Sequence, residues 1–262
     1  MNIIIDDGYN TSYIDSLLIA LFYSKRNNIL YNMLSDIPEQ IHFSYLQDLI
    51  QTNFIEQIKN GFTIDITIIN EIRNYSIMCG WKDSPNMTDL FNIVDYMCFL
   101  ITGFGTNMKY ELMDKTNHTV ETKNIDYINI KLTIDDDMRV DELLQNWTNE
   151  NFVQQNKLYQ FKEIPIMIPI YLDRLMYDRW NSNKVDIMKR IMFNSQKECS
   201  WIIHSIICVS NKKYYSIVNY DNEWFMFSNN KIPAFIKINI KNEDIANKIR
   251  QECILIIYKL DS

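Results

Sequence analysis

Ser12 is the residue of this 262-residue chain whose setting first suggests chemistry. It lies in Asp7-Gly8-Tyr9-Asn10-Thr11-Ser12-Tyr13-Ile14-Asp15-Ser16-Leu17-Leu18, where an acidic, turn-prone hexapeptide runs into an apolar segment. That pattern reads as a loop feeding a helix. A hydroxyl in the first turn sits among backbone N–H groups without intrahelical partners, where the helix dipole stabilises negative charge. Two readings follow: Thr11 or Ser12 caps the helix, or Ser12 is a nucleophile that needs a base to take its proton. The histidines available as that base are His42, His118 and His204, and each also reads as a surface or partly buried side chain. Cys79, Cys98, Cys199, Cys208 and Cys253 are scattered without a C-x-x-C pair, which points to reduced thiols and to neither a disulfide frame nor a zinc site. The run Asp135-Asp136-Asp137 lacks the spacing of a calcium loop and reads as a solvated turn.

The elements that must position these residues fall into two halves. Apolar residues recur at helical spacing from Ser12 to Tyr31 (Ile14, Leu17, Leu18, Leu21, Phe22), and again over Tyr45 to Lys59 and Ile66 to Cys79. Met87 to Ile101 is apolar almost all round, as expected of a helix inside a domain, so its methionines and aromatics read as core. After Gly105 the period changes. Tyr110 to Met113 and Val120 to Ile134 alternate like strands, with Asp114 to Asn117 as a turn, and Val140 to Trp147 reads as a short helix. Ile164 to Leu172, Trp201 to Val209, Tyr214 to Val218, Trp224 to Phe227 and Ile254 to Lys259 read as strands. The expectation is one α+β domain over residues 1–262, with a helical lobe over 1–105, a sheet lobe over 106–262 and the Ser12 loop between them.

Composition narrows the function. The net charge is −7, and only Lys189 to Lys197 is locally basic, which argues against a nucleic-acid footprint. No apolar run approaches the roughly 20 residues of a membrane span, and the start of the chain does not resemble a signal peptide. No membrane insertion and an intracellular setting are therefore expected. With 5 glycines in the chain, no Gly-rich phosphate loop is available away from Gly103 and Gly105, and those lack the flanking motif. The abundance of Ile, Asn, Lys, Asp and Tyr is that of an AT-rich genome, including those of many large DNA viruses.

Five stretches, in order, resemble the ubiquitin-specific protease family of papain-like cysteine peptidases. Asp7 to Leu21 is similar to the cysteine box G-L-x-N-L-G-N-T-C-Y-M-N-S-L-L-Q-x-L. Val140 to Trp147 is similar to the S-L-E-E-C-L segment, and Ile164 to Asp178 fits L-P-x-V-L-x-I-H-L-K-R-F-x-Y-D in register. Lys213-Tyr214-Tyr215-Ser216-Ile217-Val218 with Trp224 to Asn229 resembles the histidine box G-H-Y-x-A-Y and its partner strand W-Y-x-F-D-D. Cys253 to Tyr258 resembles the closing strand A-Y-x-L-F-Y. The resemblance implies a papain-like ubiquitin-specific-protease fold: an N-terminal helical thumb lobe packed on an antiparallel-sheet palm, with reduced fingers, since the hairpin Asn107 to Asn124 holds no cysteine and the link Asn151 to Lys162 is short.

Under that resemblance every chemical role is altered. The nucleophilic cysteine corresponds to Ser12, the general-base histidine to Tyr214, the orienting acid to Ser228 with Asn229 beside it, and the oxyanion-donating asparagine to Asp7. A tyrosine, with a reference pKa of about 10, cannot act as a histidine does at neutral pH. A carboxylate about 4 Å from a developing oxyanion opposes it by on the order of 4 kcal/mol at an effective dielectric of about 20, where a donor contributes about 3 kcal/mol. Tyr9 and Lys213 replace glycines beside the cysteine and histidine positions, narrowing any channel for a Gly-Gly tail. The expectation is a catalytically inactive relative with vestigial positions Ser12, Tyr214, Ser228, Asn229 and Asp7, holding no metal and no cofactor. It would act through protein partners as a binding or assembly scaffold. Two alternatives are an active deubiquitinating peptidase whose nucleophile is replaced by Ser12, and a pseudoenzyme that binds ubiquitin or a ubiquitin-like protein.

Overall fold

The computed structural model describes residues 12–25, 28–34, 36, 38, 40–62, 64–82, 92–104, 110–114, 123–125, 130–152, 159–161, 164–176, 179–193, 198–211, 213–229 and 233–261. The first helix, α1 (Ser12–Phe22), is buried along its whole length, its polar residues Ser12, Asp15 and Ser16 included. It stops at Phe22, and α2 (Ile29–Asn32) is a separate short helix capped by the Asn28 side chain, so the single helix expected from 12 to 31 is two. Over 43–59 the chain stays helical with a changed pitch: α3 (Phe43–Asp48), a π-helical stretch (Leu49–Ile55) and α4 (Glu56–Lys59). There the Glu56 N–H donates to the Gln51 carbonyl five residues back, the wider π spacing. Asp65 caps α5 (Ile66–Met78) by accepting from the Thr67 N–H. Gly61 and Gly80 take positive φ just beyond α4 and α5, where an L side chain would be strained. The last helix of this region, α6 (Asn92–Gly103), carries the expected core residues Tyr96, Met97, Leu100 and Ile101; residues 87–91 of that expectation lie outside the described residues.

The middle of the chain is made of shorter pieces. Strands β1 (Tyr110–Asp114) and β2 (Lys123–Ile125) pair antiparallel, and β3 (Lys131–Thr133) belongs to another sheet, so the expected strand from 120 to 134 is broken in two. The turn expected at 114–117 lies, beyond Asp114, outside the described residues. After β4 (Met138–Arg139), α7 (Val140–Phe152) runs further than its apolar pattern suggests. Then β5 (Tyr159–Phe161) adds to β1, giving the order β2-β1-β5. Strand β6 (Met167–Asp173) is followed by β7 (Leu175–Met176), β8 (Arg179–Trp180), β9 (Val185–Asp186) and β10 (Arg190–Ile191).

Long strands close the chain: β11 (Trp201–Ser210), β12 (Lys213–Tyr220), β13 (Glu223–Phe227), β14 (Phe235–Ile238) and β15 (Cys253–Leu260). Asp221 and Asn222 both take positive φ between paired Tyr220 and Glu223, the two-residue turn that matches strand twist. An amphipathic helix, α8 (Glu243–Glu252), precedes β15; unlike α7, it is helix that the sequence pattern did not lead one to expect in this half.

Contacts group the chain into two compact units that do not follow a division at residue 105. One contains Met1–Asn107 and Ser205–Asn242, the other Met108–His204 and Glu243–Ser262. In the first, β12 lies between β11 and β13, and β14 pairs with β13. In the second, β6 lies between β15 and β3, antiparallel to one and parallel to the other. The second unit's core includes an edge-to-face aromatic trio, Phe161, Phe193 and Trp201, with the Trp201 Nε1–H donating to the Pro165 carbonyl at 2.7 Å. Arg174 is fully buried there and donates to the carbonyls of Cys253, Asn181, Asn183 and Arg250. A guanidinium bonded to carbonyls ties two chain segments, 181–183 and 250–253, to one point.

Candidate functional site

The site is built on α1 within the first unit. Ser12 opens the helix, so the capping position falls on Thr11, outside the described residues. The Ser12 Oγ accepts a hydrogen bond from the backbone N–H of Tyr214 at 3.3 Å. Two more bonds continue along the helix. The Ser216 Oγ donates to the Ser16 carbonyl at 2.6 Å, and the Ser205 Oγ to the Ala20 carbonyl at 2.7 Å. Small hydroxyl side chains on β12 and β11 thus let the helix backbone approach the strands, where a larger residue would hold it off.

Tyr214 is buried, and its ring meets that of Tyr13 edge-on at 6.5 Å. Tyr13 in turn packs against Tyr96 at 5.7 Å, and its hydroxyl accepts from the Trp81 Nε1–H. The position that the resemblance assigns to a base is therefore an aromatic packing element. Ser228 and Asn229, just beyond β13, are both buried. The Ser228 N–H donates to the Ala234 carbonyl, and the Asn229 Nδ2 donates to Asp15 Oδ2 at 2.5 Å.

Asp15 is the residue that the sequence reading missed. It is fully buried in the first turn of α1, and its Oδ1 has no hydrogen-bond partner. Burial pushes its carboxyl up to about 7, against the opposing effects of the Asn229 bond and its own backbone N–H. The helix dipole favours a carboxylate there, but loss of solvent is the larger effect. The available signal was an acid embedded in the apolar stretch from Tyr13 to Phe22. In register with the cysteine box, Asp15 stands where that motif has asparagine, and Asn229 where the partner strand has aspartate, so the acid and the amide have exchanged places across one hydrogen bond.

The structure brings Ser12 and Tyr214 together and joins Asn229 to the same helix through Asp15. Asp7 and Tyr9 lie outside the described residues, as does His118. His42 is exposed beside Phe43, while His204 is buried on β11. Lys213 opens β12 with its side chain exposed. The acidic run is a turn: the Asp137 carboxylate accepts from the Lys184 N–H at 2.6 Å and the Asp135 carbonyl from Asn183 Nδ2. Among the described residues no cluster of His, Cys, Asp and Glu could hold a metal ion, and no helix is long and apolar enough to cross a membrane.

No protein-family model matches the chain, and no curated protein matches it. Solved structures do. The whole chain superposes on a chain of the Ubp8-Sgf11-Sgf73-Sus1 SAGA DUB module with a TM-score of 0.64 and 15% identity, covering 68% of that chain. It also superposes on a chain of the yeast SAGA DUB module carrying a mutant Sgf73, with a TM-score of 0.58 and 16% identity, covering 66% of that chain. At such identities the likeness is one of fold: this chain has a mixed α+β fold like that of the ubiquitin-specific proteases.

Proposed function

We propose that this chain is a catalytically inactive relative of the ubiquitin-specific proteases that works inside the cell by binding proteins, as a recognition or assembly scaffold. The observation that carries the reading is the Ser12–Tyr214 contact. The hydroxyl at the nucleophile position accepts from a backbone N–H, and the side chain at the base position is a buried phenol packed against Tyr13. A serine hydroxyl needs a base far stronger than a neutral phenol to lose its proton near neutral pH. In this reading the N-terminal helices are a thumb, the long strands a palm and the β2-β1-β5 sheet a set of shortened fingers. Protein partners are supported by the multi-protein assemblies in which the structural neighbours were solved.

The test is a ubiquitin-amide turnover assay together with a ubiquitin C-terminal electrophile, on the wild type and on Ser12→Cys. Neither turnover nor adduct is expected from either protein. Turnover by Ser12→Cys overturns the reading, because a thiol alone would then have restored the chemistry. Titration with labelled ubiquitin then separates a ubiquitin-binding pseudoenzyme, which gives saturable amide shifts, from a scaffold that does not engage ubiquitin.

A further inference from the structure

Away from the Ser12 site, the first unit carries an outward surface formed by two helical stripes. Ile41, Tyr45 and Asp48 follow one another at helical spacing through the turn before α3 and along it, and Glu71, Tyr75 and Met78 do so along α5. The core-facing residues of these helices are others: Phe43 and Leu46 on α3, Ile69, Ile72 and Ser76 on α5. The stripes meet in the middle, where the Tyr45 and Tyr75 rings lie 4.5 Å apart. At one end the Cys79 thiol donates to the His42 carbonyl at 3.6 Å, which brings the backbone beside Met78 next to the backbone beside Ile41. At the other end Tyr45 donates to the Glu71 carboxylate at 2.7 Å, and the charges of Glu71 and Asp48 both act on the Tyr45 hydroxyl.

The surface is therefore graded. Its apolar end holds two large side chains almost wholly in solvent, Ile41 at 86% exposure and Met78 at 78%. Two tyrosines occupy the centre, and two carboxylates close the far end. Exposed methionine and tyrosine are residue types enriched at protein interfaces, and contiguous exposed apolar surface on a soluble domain marks an interaction site.

We infer that this surface docks an amphipathic helix of a partner protein, one that places an aliphatic side chain on Ile41 and Met78 and a lysine or arginine about two turns away against Asp48 and Glu71. Charge decides the occupant. A second copy of this chain, paired about a two-fold axis, would set the carboxylates either against their own counterparts or against Ile41 and Met78, and both arrangements are costly. Two antiparallel helical stripes present a face against which a third helix can pack, and a separation of seven residues spans about 10 Å on such a helix. This surface is independent of whether Ser12 is catalytic.

The probe is a synthetic amphipathic helical peptide with leucines on one face and lysines one and two turns beyond them, measured against the full chain by fluorescence anisotropy. Saturable binding is expected, with loss of at least about tenfold in affinity for Met78→Asp and for Glu71→Lys, and none for the same peptide with glutamate in place of lysine. Met78→Asp gives the deciding sign. It makes the protein more acidic, so purely electrostatic attraction of a cationic peptide would strengthen, whereas docking on the apolar end weakens. Unchanged or tighter binding by Met78→Asp, or no saturable binding by the wild type, overturns the proposal. So does sedimentation that shows self-association abolished by Met78→Asp, because the surface would then belong to a second copy. Met78 is exposed, so equal thermal melting of variant and wild type checks that the fold is untouched.

Discussion

Replacing Asp15 by asparagine changes the pH dependence of stability by an amount that the structure sets. The Asp15 carboxyl is fully buried, bonded to Asn229 through one oxygen only, and its pKa is raised from 3.8 to about 7. The sign follows from which state holds the proton. Below pH 3.8 the carboxyl is protonated in both folded and unfolded chains, and its neutral form contributes fully to stability. As pH rises from 3.8 to about 7 the unfolded chain ionises while the folded chain resists, so stability falls across that window and stays low above it. At about 1.4 kcal/mol per pH unit, the whole window is worth about 4 kcal/mol and the part above pH 5 about 3 kcal/mol. The asparagine side chain introduced by Asp15→Asn keeps an acceptor for Asn229 and puts an NH2 group, with two N–H donors, where Oδ1 has no partner, a cost of about 1–3 kcal/mol that does not vary with pH. Urea unfolding of wild type and Asp15→Asn at about pH 5 and about pH 8 gives the comparison, and titrations common to both proteins cancel in the difference. The variant is expected to gain about 3 kcal/mol relative to wild type between the two conditions. A difference constant within about 0.5 kcal/mol would refute the view that burial sets the proton on Asp15.

Three other substitutions test the packing. Arg174→Lys removes a fork that serves four carbonyls, so a loss of about 3–5 kcal/mol is expected by denaturant unfolding. Gly103→Ala places a Cβ into the Phe43 ring, itself held by Phe99 and Phe104, and should cost about 1–3 kcal/mol in a thermal melt, with recovery when Phe43→Leu is added. Ser216→Ala removes the donor to the Ser16 carbonyl; because that carbonyl lies inside a helix, the expected loss is only about 1 kcal/mol, and a neutral result would show that the bond adds nothing.

What the sequence disclosed and what it hid divide along physical lines. Long strands such as β6 and β15, apolar in nearly every position, announced themselves, because continuous burial leaves an unbroken apolar run. The helix α8 did not, since its amphipathic decapeptide Glu243 to Glu252 carries few apolar residues and lies among strands. The break of α1 after Phe22 was also hidden, because apolar spacing records which side faces the core and not where the chain leaves the helix. At the site, Ser12, Tyr214 and Asn229 were legible as positions along motifs. The bond that ties Asn229 to α1 was not, since it runs to Asp15, a residue that a motif comparison reads as one more letter in a helix.

The bonds along α1 fall on residues 12, 16 and 20, and their partners lie along β12 and β11 from Tyr214 to Ser205, which faces Val218. Eight helical residues advance about 12 Å, and the four strand steps from 214 to 218 advance about 13 Å, so the two repeats are nearly commensurate. Such a match works like a vernier. Sliding the helix by one residue rotates every contact by about 100° and breaks all three together, and only a jump of a full turn, about 5.4 Å, restores a similar alignment. A single-residue insertion in α1 or β12 should therefore be far less tolerated than one in the surface turns. Sliding this helix by less than a turn therefore costs all three bonds at once, whereas segments outside that repeat carry no such penalty.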